Sequence, residues 1–251
     1  MTSEPYAIIA GIGAGTGAAV ARRFARQYPV ALLARSTDFA KKLAAEIEAD
    51  GGTAVSYKAD VADEEDLGRV FGEIQERFGT TCAAAIFNAS SRPFPKPFLW
   101  QSQSDVDYAL SIKSRPLRNQ HRDGAYHFAK LGLPLLIGST GHDFVPTLLY
   151  TGATAGVKAN AWMQPFAVSK HSLRALVLAL ADEFAPQGVH VAHAIIDGVI
   201  RMPLTRILKP LSSWHAKLDP DAIAESYWHL HEQPLAYMTT EIALRPFCET
   251  W

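Results

Sequence analysis

The 251-residue sequence has little of what marks several classes of protein. Its only two cysteines, Cys82 and Cys248, are far apart and fit neither a metal-binding nor a redox spacing, so they suit a reducing compartment. Basic and acidic residues are nearly balanced, at 24 and 25, and their signs are mixed along the chain. This balance gives no indication of nucleic acid or a membrane surface as a partner.

Long apolar runs are also missing. No run approaches the roughly 18 residues that a membrane-spanning helix needs. Residues 1–5 show no basic region followed by an apolar stretch, which is the pattern of a signal peptide. Together with the two lone thiols, these absences lead us to expect a soluble, cytoplasmic protein.

The residues that are present follow an alternating pattern. Apolar residues make up 48% of the chain, which is enough to bury a sizeable core. Short apolar runs alternate with longer helical patterns, as in βαβ units around a parallel sheet. We therefore predict an α/β fold in which residues 1–251 form a single Rossmann-type domain, a doubly wound parallel sheet with helices on both faces. The predicted strands are Tyr6–Ala10, 30–33, 53–58, Cys82–Phe87, 147–150 and His190–Ile196.

One segment interrupts this rhythm. Residues 113–123 (KSRPLRNQHRD) are polar and include Pro116 where a helix would otherwise continue. Proline costs about 3 kcal/mol inside a helix, so we predict an irregular insertion or kink here. An error in the gene model is an alternative explanation. The triplet at 121–123 resembles part of a kinase catalytic loop, but the other kinase signatures are missing, so we reject that interpretation.

A glycine cluster follows the first predicted strand directly. Gly11, Gly13, Gly15 and Gly17 lie between that strand and the first predicted helix. Glycines here let the backbone approach a pyrophosphate, and the helix N-terminus supplies oriented N–H groups. The position predicts a dinucleotide site, although glycines also make ordinary turns.

The end of the second predicted strand indicates which dinucleotide binds. An NAD site usually has an acidic residue there for the ribose 2′-hydroxyl. This chain has Arg35 and Ser36 instead, which can form charge-assisted contacts with a 2′-phosphate. We predict NADP(H) as cofactor; the alternative is that Arg35 is an ordinary surface residue.

Several motifs together resemble the short-chain dehydrogenase/reductase family over essentially the whole chain. Residues 10–17 resemble its TGxxxGxG turn, and Asn88 stands in a segment similar to its NNAG motif. The resemblance implies that Asp60 and Val61 contact the adenine and that Gly198 lies near the nicotinamide. It also implies a small-molecule substrate and a homodimer or homotetramer.

Other segments are similar to a divergent subgroup of this family. They are residues 151–156, 219–234 and 244–247, with the terminal Trp251. The subgroup includes fungal and bacterial oxidoreductases, and some fungal members belong to polyketide pathways. We expect residues from about 200 to 235 to form a substrate cap.

The catalytic positions depart from the family pattern. The family's YxxxK motif has become Phe166 with Lys170, so the lysine that holds the ribose is kept and the tyrosine acid is lost. The catalytic serine falls on Ala153. The family's helical asparagine should lie near Lys113 or His121 and cannot be assigned.

These losses are large in energetic terms. A general acid contributes about 10²–10⁴ in rate, and one oxyanion donor contributes about 10²–10³. Hydride addition to a conjugated C=C bond needs less acid assistance, because the proton can reach carbon later from water. Hydroxyl or amide groups close to the site in sequence could replace the lost donors, with a purely structural role as the alternative for each: Tyr150, Thr151, Thr154, Gln164 and Ser169.

Two functions follow from this sequence. The first is an NADPH-dependent oxidoreductase that reduces a carbonyl or conjugated C=C bond of a small molecule, bound near Asn88, residues 151–154 and Phe166. The alternative is a non-catalytic NADP(H)-binding protein that acts as a sensor or scaffold.

No metal is expected, since His229 and His231 would point to different faces of a helix. With Trp228, they are expected to form an aromatic cap over the substrate cleft or an oligomer contact.

Overall fold

The computed structural model describes residues 4–91, 94–111, 124–206 and 217–248. Seven strands lie within these ranges: β1 Tyr6–Ala10, β2 Val30–Ala34, β3 Ala54–Lys58, β4 Cys82–Phe87, β5 Thr147–Thr151, β6 His190–Ile196 and β7 Glu241–Leu244. Seven α-helices accompany them: α1 Thr16–Phe24, α2 Thr37–Ala49, α3 Glu64–Phe78, α4 Gln103–Ser111, α5 Gly124–Gly138, α6 Gln164–Phe184 and α7 Pro220–His231.

The strands form one parallel sheet in the order β3-β2-β1-β4-β5-β6-β7. The predicted single α/β domain of the Rossmann type is therefore confirmed. Strand order reverses between β1 and β4, where the chain runs outward in both directions. In open parallel sheets of this kind, ligands bind at the carboxyl ends of the strands beside such a reversal. We call this side of the sheet the carboxyl edge and the opposite side the amino edge.

Two apolar layers cover the two faces of the sheet. One layer packs α3, α5 and α6 against it, and the other packs α1, α2 and α7. The helical period noted for α3 corresponds to buried Leu67, Val70, Phe71 and Ile74. Strands such as β1 and β4 are buried along their whole length, which explains their continuous apolar sequences.

The ends of the helices follow local chemistry in most places. Asp63 begins α3, its side chain accepting hydrogen bonds from the N–H groups of Glu65 and Asp66. Gly79 ends that helix at φ +88°. Ser36 stands at the N-cap position of α2, but its side chain makes no capping hydrogen bond. Its hydroxyl is therefore not committed to the helix.

Several elements were not assigned from the sequence. Strand β7 and helices α4, α5 and α7 lie in segments where the apolar pattern is short or mixed, and α5 contains Pro134 within it. Residues 113–123, predicted as an irregular insertion, lie outside the described residues. Within the described ranges, no helix is long and apolar enough to cross a bilayer.

The two cysteines have opposite environments. Cys82 is fully buried in β4, and Cys248 is exposed near the end of the described chain. Burial raises the pKa of the Cys82 thiol to about 12. Neither forms a disulfide, as their separation in sequence suggested.

Candidate cofactor and catalytic site

The glycine loop that follows β1 is folded too tightly for side chains at two of its positions. Gly11 has φ +92°, and a Cβ there would lie 2.4 Å from the backbone nitrogen of Ala89. A Cβ at Gly17 would lie 2.4 Å from the carbonyl oxygen of Gly11. These two glycines let the loop, the first turn of α1 and the end of β4 approach one another closely.

Asn88 joins the two strands at the point where strand order reverses. Its side-chain Nδ2 donates to the carbonyl oxygen of Gly11 at 2.8 Å, and its backbone N–H donates to Ala10 at the same distance. The residue thus holds the glycine loop against the end of β4.

The remaining glycines of the loop have different surroundings. A Cβ at Gly13 would meet no atom within 4 Å, whereas a Cβ at Gly15 would lie 2.6 Å from the Sδ-bound methyl of Met202. The loop therefore has an open face at Gly13 and a covered one at Gly15. The hydroxyl of Thr16, the first residue of α1, is buried without a hydrogen-bond partner in the described residues. An open cradle beside a helix N-terminus fits a pyrophosphate.

The residues predicted to meet the adenosine half lie along the same edge. Arg35 and Ser36 follow β2 directly and are both exposed. Asp60 and Val61 come just after β3, where the Asp60 carboxylate accepts from the N–H of Ala62 at 3.1 Å. Val61 is buried against Gly124, at the start of α5. The carboxyl ends of β1 to β4 thus carry all the predicted cofactor-contacting residues of this half.

Lys170 is a buried charged residue on the other half of the edge. It lies in α6, and its Nζ donates to the carbonyl oxygen of Thr151, at the end of β5, at 3.0 Å. Burial lowers the pKa of Lys170 to about 8. The ring of Phe166 lies one helical turn earlier, with its centroid 5.9 Å from Nζ.

The segment that carries Ala153 is tied to the end of β6. Thr154 donates to one oxygen of the Asp197 carboxylate at 2.6 Å, and Arg245 binds the other oxygen at 2.6 Å. Asp197 is almost fully buried, so this pairing satisfies a charge that would otherwise be costly. Next to it, Gly198 packs against Pro246, where a Cβ would lie 2.7 Å from the proline ring.

The replacement donors predicted from sequence do not all reach the site. The hydroxyl of Tyr150 donates to the carbonyl oxygen of Ala125 in the core beneath α5. The hydroxyl of Thr151 pairs with Tyr227 at 2.8 Å, and both groups are buried. Each side chain points into an apolar layer instead of toward the edge, which matches the structural role left open for it and not a donor role.

Two other predicted donors are engaged nearer the surface. Gln164 accepts from Gln101 at 2.7 Å, which fixes the chain after β4 to the start of α6. Thr154 is bound to Asp197, as described. Among these hydroxyl and amide groups, Thr154 is closest to Ala153 in sequence and is only partly buried.

Of the two expectations for the cluster of Trp228, His229 and His231, the cap over the substrate cleft does not hold, and the oligomer contact stays a prediction. The cluster lies at the carboxyl terminus of α7, where Trp228 packs edge-on against Phe24 and His231 bonds to Thr147, the first residue of β5. This is the amino edge of the sheet, so these rings do not cover the substrate cleft. No group of metal-binding side chains occurs in the described part of the chain.

The expected cap region is described in two parts, 200–206 and 217–235. Residues Ile200 and Met202 pass over Gly15, and Ile200 pairs with Leu218 in an isolated parallel bridge. Helix α7 then turns away and packs against α1. Among the described residues of this region, residues 200–206 and Leu218 are the ones that lie at the carboxyl edge.

Sequence reasoning missed the Asp197–Arg245 pair and Tyr227. No role was assigned to Asp197 from the sequence, and Arg245 entered only within residues 244–247 as part of the subgroup resemblance. The available signal was an acidic residue that directly follows two apolar strand residues and precedes a turn. Its partner, however, lies 48 residues farther along the chain. Such pairings depend on tertiary structure, which no local pattern contains.

The glycine loop, the strand reversal and the buried lysine define a Rossmann-type oxidoreductase. The chain belongs to the short-chain dehydrogenase/reductase family, since residues 11–242 match the family model described as enoyl-(acyl carrier protein) reductase. It is 27% identical over 198 residues to oxidoreductase UcpA of Salmonella typhimurium, covering 79% of this chain and 70% of that protein.

Two solved structures are similar to this chain over nearly its whole length. A short-chain dehydrogenase from Rhodopseudomonas palustris is 26% identical with a TM-score of 0.73, covering 96% of this chain and 99% of the other. A metagenomic short-chain oxidoreductase solved in complex with NADP is 21% identical with a TM-score of 0.77, covering 97% and 98%. The second similarity supports the fold alone.

Proposed function

We propose that this protein is an NADPH-dependent reductase of a small molecule that contains a carbonyl or conjugated C=C bond. The observation that carries the proposal is the position of Lys170. Its ammonium group is buried at the end of β5 on the same edge as the open glycine loop. Burial of a cation is costly, so a buried lysine at this position indicates a function. Holding the ribose of a bound dinucleotide would be such a function.

The preference for the phosphorylated cofactor rests on the end of β2. Arg35 and Ser36 are exposed there, and the Ser36 hydroxyl is not used to cap α2. A guanidinium and a free hydroxyl together suit a 2′-phosphate.

The chemical half of the site favours reactions that need little acid assistance. Bound NADPH supplies a hydride. Phe166 has no proton to donate, and Ala153 cannot hydrogen-bond an oxyanion. When a hydride adds to the β-carbon of an enone, the C=C electron pair moves to give an enolate, and water then protonates the α-carbon. This chain needs only to orient the substrate and hydrogen-bond the enolate oxygen. Lys170 is the candidate donor, because its ammonium group has protons beyond the one donated to Thr151, whereas the Thr154 hydroxyl donates its proton to Asp197.

The substrate is proposed to lie between Asn88, residues 151–154 and Phe166. The apolar ring of Phe166 and the methyl group of Ala153 favour an uncharged organic molecule over a polar one. An intermediate of a fungal polyketide pathway belongs to this class, and the subgroup resemblance is its only support.

A second function is favoured by the same two residues. If Phe166 and Ala153 have abolished chemistry, the protein binds NADP(H) and serves as a sensor or scaffold. The two functions share the cofactor site and differ in turnover. They are therefore separated by product formation and not by binding.

The first test measures NADPH oxidation by pure protein with ketones, aldehydes and unsaturated lactones, followed by mass analysis of products. Turnover of an enone to a C=C-reduced product supports the reductase. Measurable NADPH binding with no product from any compound supports the sensor. Failure to bind NADPH contradicts both.

Cofactor preference has its own test. We expect Arg35→Ala to weaken NADPH binding about tenfold to a hundredfold and to leave NADH binding unchanged, because a charge-assisted pair contributes about 1.5–3 kcal/mol. Lys130→Ala on α5 is the matched control, since Lys130 is an exposed cation away from the carboxyl edge. Equal effects on both cofactors would contradict the assignment of Arg35 to the 2′-phosphate.

A further inference from the structure

A second cleft lies at the amino edge, opposite the proposed cofactor site. It has a volume of about 880 Å³ and is bounded by the chain before β5, the turn before β6 and the carboxyl terminus of α7 with the residues after it. Its size is within the range of small-molecule sites. The reductase proposed above makes no use of it.

Aromatic rings form one continuous wall of this cleft. The rings of His142 and Phe144 stack with centroids 5.4 Å apart and an interplanar angle of 7°. Phe144 meets Tyr28 edge-on at 6.2 Å, and Tyr28 meets His231 edge-on at 5.5 Å. Aromatic walls of this kind bind flat molecules or cations.

Hydrogen bonds fix the inner part of the wall in an uncharged state. The hydroxyl of Thr147 donates to Val145 at 2.8 Å, so it must accept from Nδ1–H of His231 at 2.9 Å. Nε2 of His231 therefore accepts the hydroxyl hydrogen of Tyr28 at 3.0 Å. Burial lowers the pKa of His231 to about 4, so the inner wall carries no positive charge at neutral pH.

The rim of the cleft is acidic. Asp143 and Glu232 line it, and none of the described lining residues is a lysine or arginine. After burial, the Glu232 carboxylate is the second cause that raises the pKa of Tyr28 to about 12, which places this charge beside the aromatic wall. Two arginines close in sequence to Tyr28 are paired with the same carboxylate: Arg23 and Arg26 lie 2.7 and 3.7 Å from Glu225, and Arg23 also lies over the Trp228 ring.

We propose that this cleft binds a small organic cation, with an alkylammonium or quaternary ammonium head. The rings of Tyr28 and Phe144 would face the cation, and Asp143 and Glu232 would supply the opposite charge. The aromatic wall alone would also bind a neutral aromatic molecule, and the two rim carboxylates alone would attract any cation. The combination selects a cation that is only weakly hydrated.

Exposed Leu235 and Tyr237 lie next to the cleft and make a second copy of the chain the main rival occupant. Apolar side chains of a neighbouring copy would fill the wall but leave the two rim carboxylates unpaired. Charge complementarity therefore favours the cation over a second copy.

The probe is choline, compared with its uncharged analogue 3,3-dimethylbutan-1-ol, in titration calorimetry on the full chain saturated with NADPH. We expect choline to bind at least about tenfold more tightly than the analogue. Phe144→Leu and the pair Asp143→Asn with Glu232→Gln should each weaken choline about fivefold to tenfold. Glu183→Gln, which removes an exposed carboxylate on α6, is the matched control and should have no effect.

Three results would overturn the proposal. They are equal affinity for choline and its analogue, no detectable choline binding, and choline binding that Glu183→Gln weakens as much as the rim variants do. Sedimentation of the same samples tests the rival: a dimer that Phe144→Asp dissociates would assign the cleft to a second copy. Because the cofactor is already bound, a failure here leaves the proposed reductase untouched.

Discussion

The two edges of the sheet are built from different chemical groups. At the carboxyl edge, backbone groups dominate: Gly11, Gly17 and the carbonyl of Thr151 hold the loop, the strand ends and Lys170 in place. At the amino edge, rings and carboxylates dominate, with Tyr28, Phe144 and His231 forming a continuous wall.

This difference explains what can change during divergence. A site built from backbone geometry survives when side chains are exchanged, as long as its glycines are kept. The loss of the family's tyrosine and serine at Phe166 and Ala153 leaves the glycine loop and Asn88 intact. Side-chain changes at the carboxyl edge should therefore affect cofactor binding and turnover, whereas crowding of its closely packed glycines, or loss of the buried groups at the amino edge, should affect stability.

The largest effect is expected at Gly11. Gly11→Ala places a methyl group 2.4 Å from a backbone nitrogen at a φ of +92°, so it should destabilise the fold by about 4 kcal/mol. Gly13→Ala should leave stability nearly unchanged, because no atom lies within 4 Å of its Cβ, and should weaken NADPH binding. Chemical denaturation and fluorescence titration measure the two effects.

A Gly13→Ala variant that unfolds like Gly11→Ala would show that the whole loop is under tension. Gly11 and Gly13 would then not differ in how closely their surroundings are packed. If neither variant changed NADPH binding, the loop would not be the pyrophosphate site.

The second effect concerns the chemical half of the carboxyl edge. Restoring the family's groups with Phe166→Tyr and Ala153→Ser should raise ketone reduction about a hundredfold or more, since a general acid contributes about 10²–10⁴. The new hydroxyl would stand near Lys170, whose pKa of about 8 suits the support of an acid. Steady-state NADPH oxidation with a ketone panel measures it, and each single variant is the control. A double variant no faster than the native chain would place the substrate elsewhere.

The third effect concerns the amino edge, where a buried histidine makes stability depend on pH. His231 is buried and neutral, with its pKa lowered from 6.5 to about 4 chiefly by burial. The unfolded chain binds this proton first as the pH falls, so stability is complete above about pH 6.5 and is lost between pH 6.5 and 4. The loss attributable to His231 should reach about 3 kcal/mol.

Denaturation of native protein and of His231→Leu at pH 7, 5.5 and 4 measures this loss. The variant should be less stable at pH 7 and should lose less on acidification. His229→Asn is the matched control, because His229 is exposed on the same helix. Equal pH dependence in all three proteins would assign the acid sensitivity to His190 and His193, whose pKa values burial also lowers.

The sequence was sufficient for six of the seven described strands and for the glycine loop. Strands β1 and β4 coincide with continuous apolar runs, because a buried parallel strand is mostly apolar, and β6 was found although His190 and His193 interrupt its run. Gly11 and Gly17 were found because close backbone approach leaves a glycine signature. The helix face of Leu67 to Ile74 was likewise visible as a period.

The sequence was not sufficient for the partners of polar side chains. Tyr150 and Thr151 looked like candidate donors because they are near Ala153 in sequence, yet both side chains point into the core. The position of Trp228 also could not be foreseen, since it depends on where α7 ends relative to the sheet. Strand β7 is short and only partly buried, so its apolar signal was weak.

The contrast between the two cysteines makes the molecule easy to label. The Cys82 thiol is enclosed in β4 and strongly held in its protonated form, so a maleimide dye should react only at exposed Cys248. Cys248 lies two residues after Pro246, which packs against Gly198. A fluorophore attached there reports on the carboxyl-terminal tail from a single native position, without removing any residue from the chain.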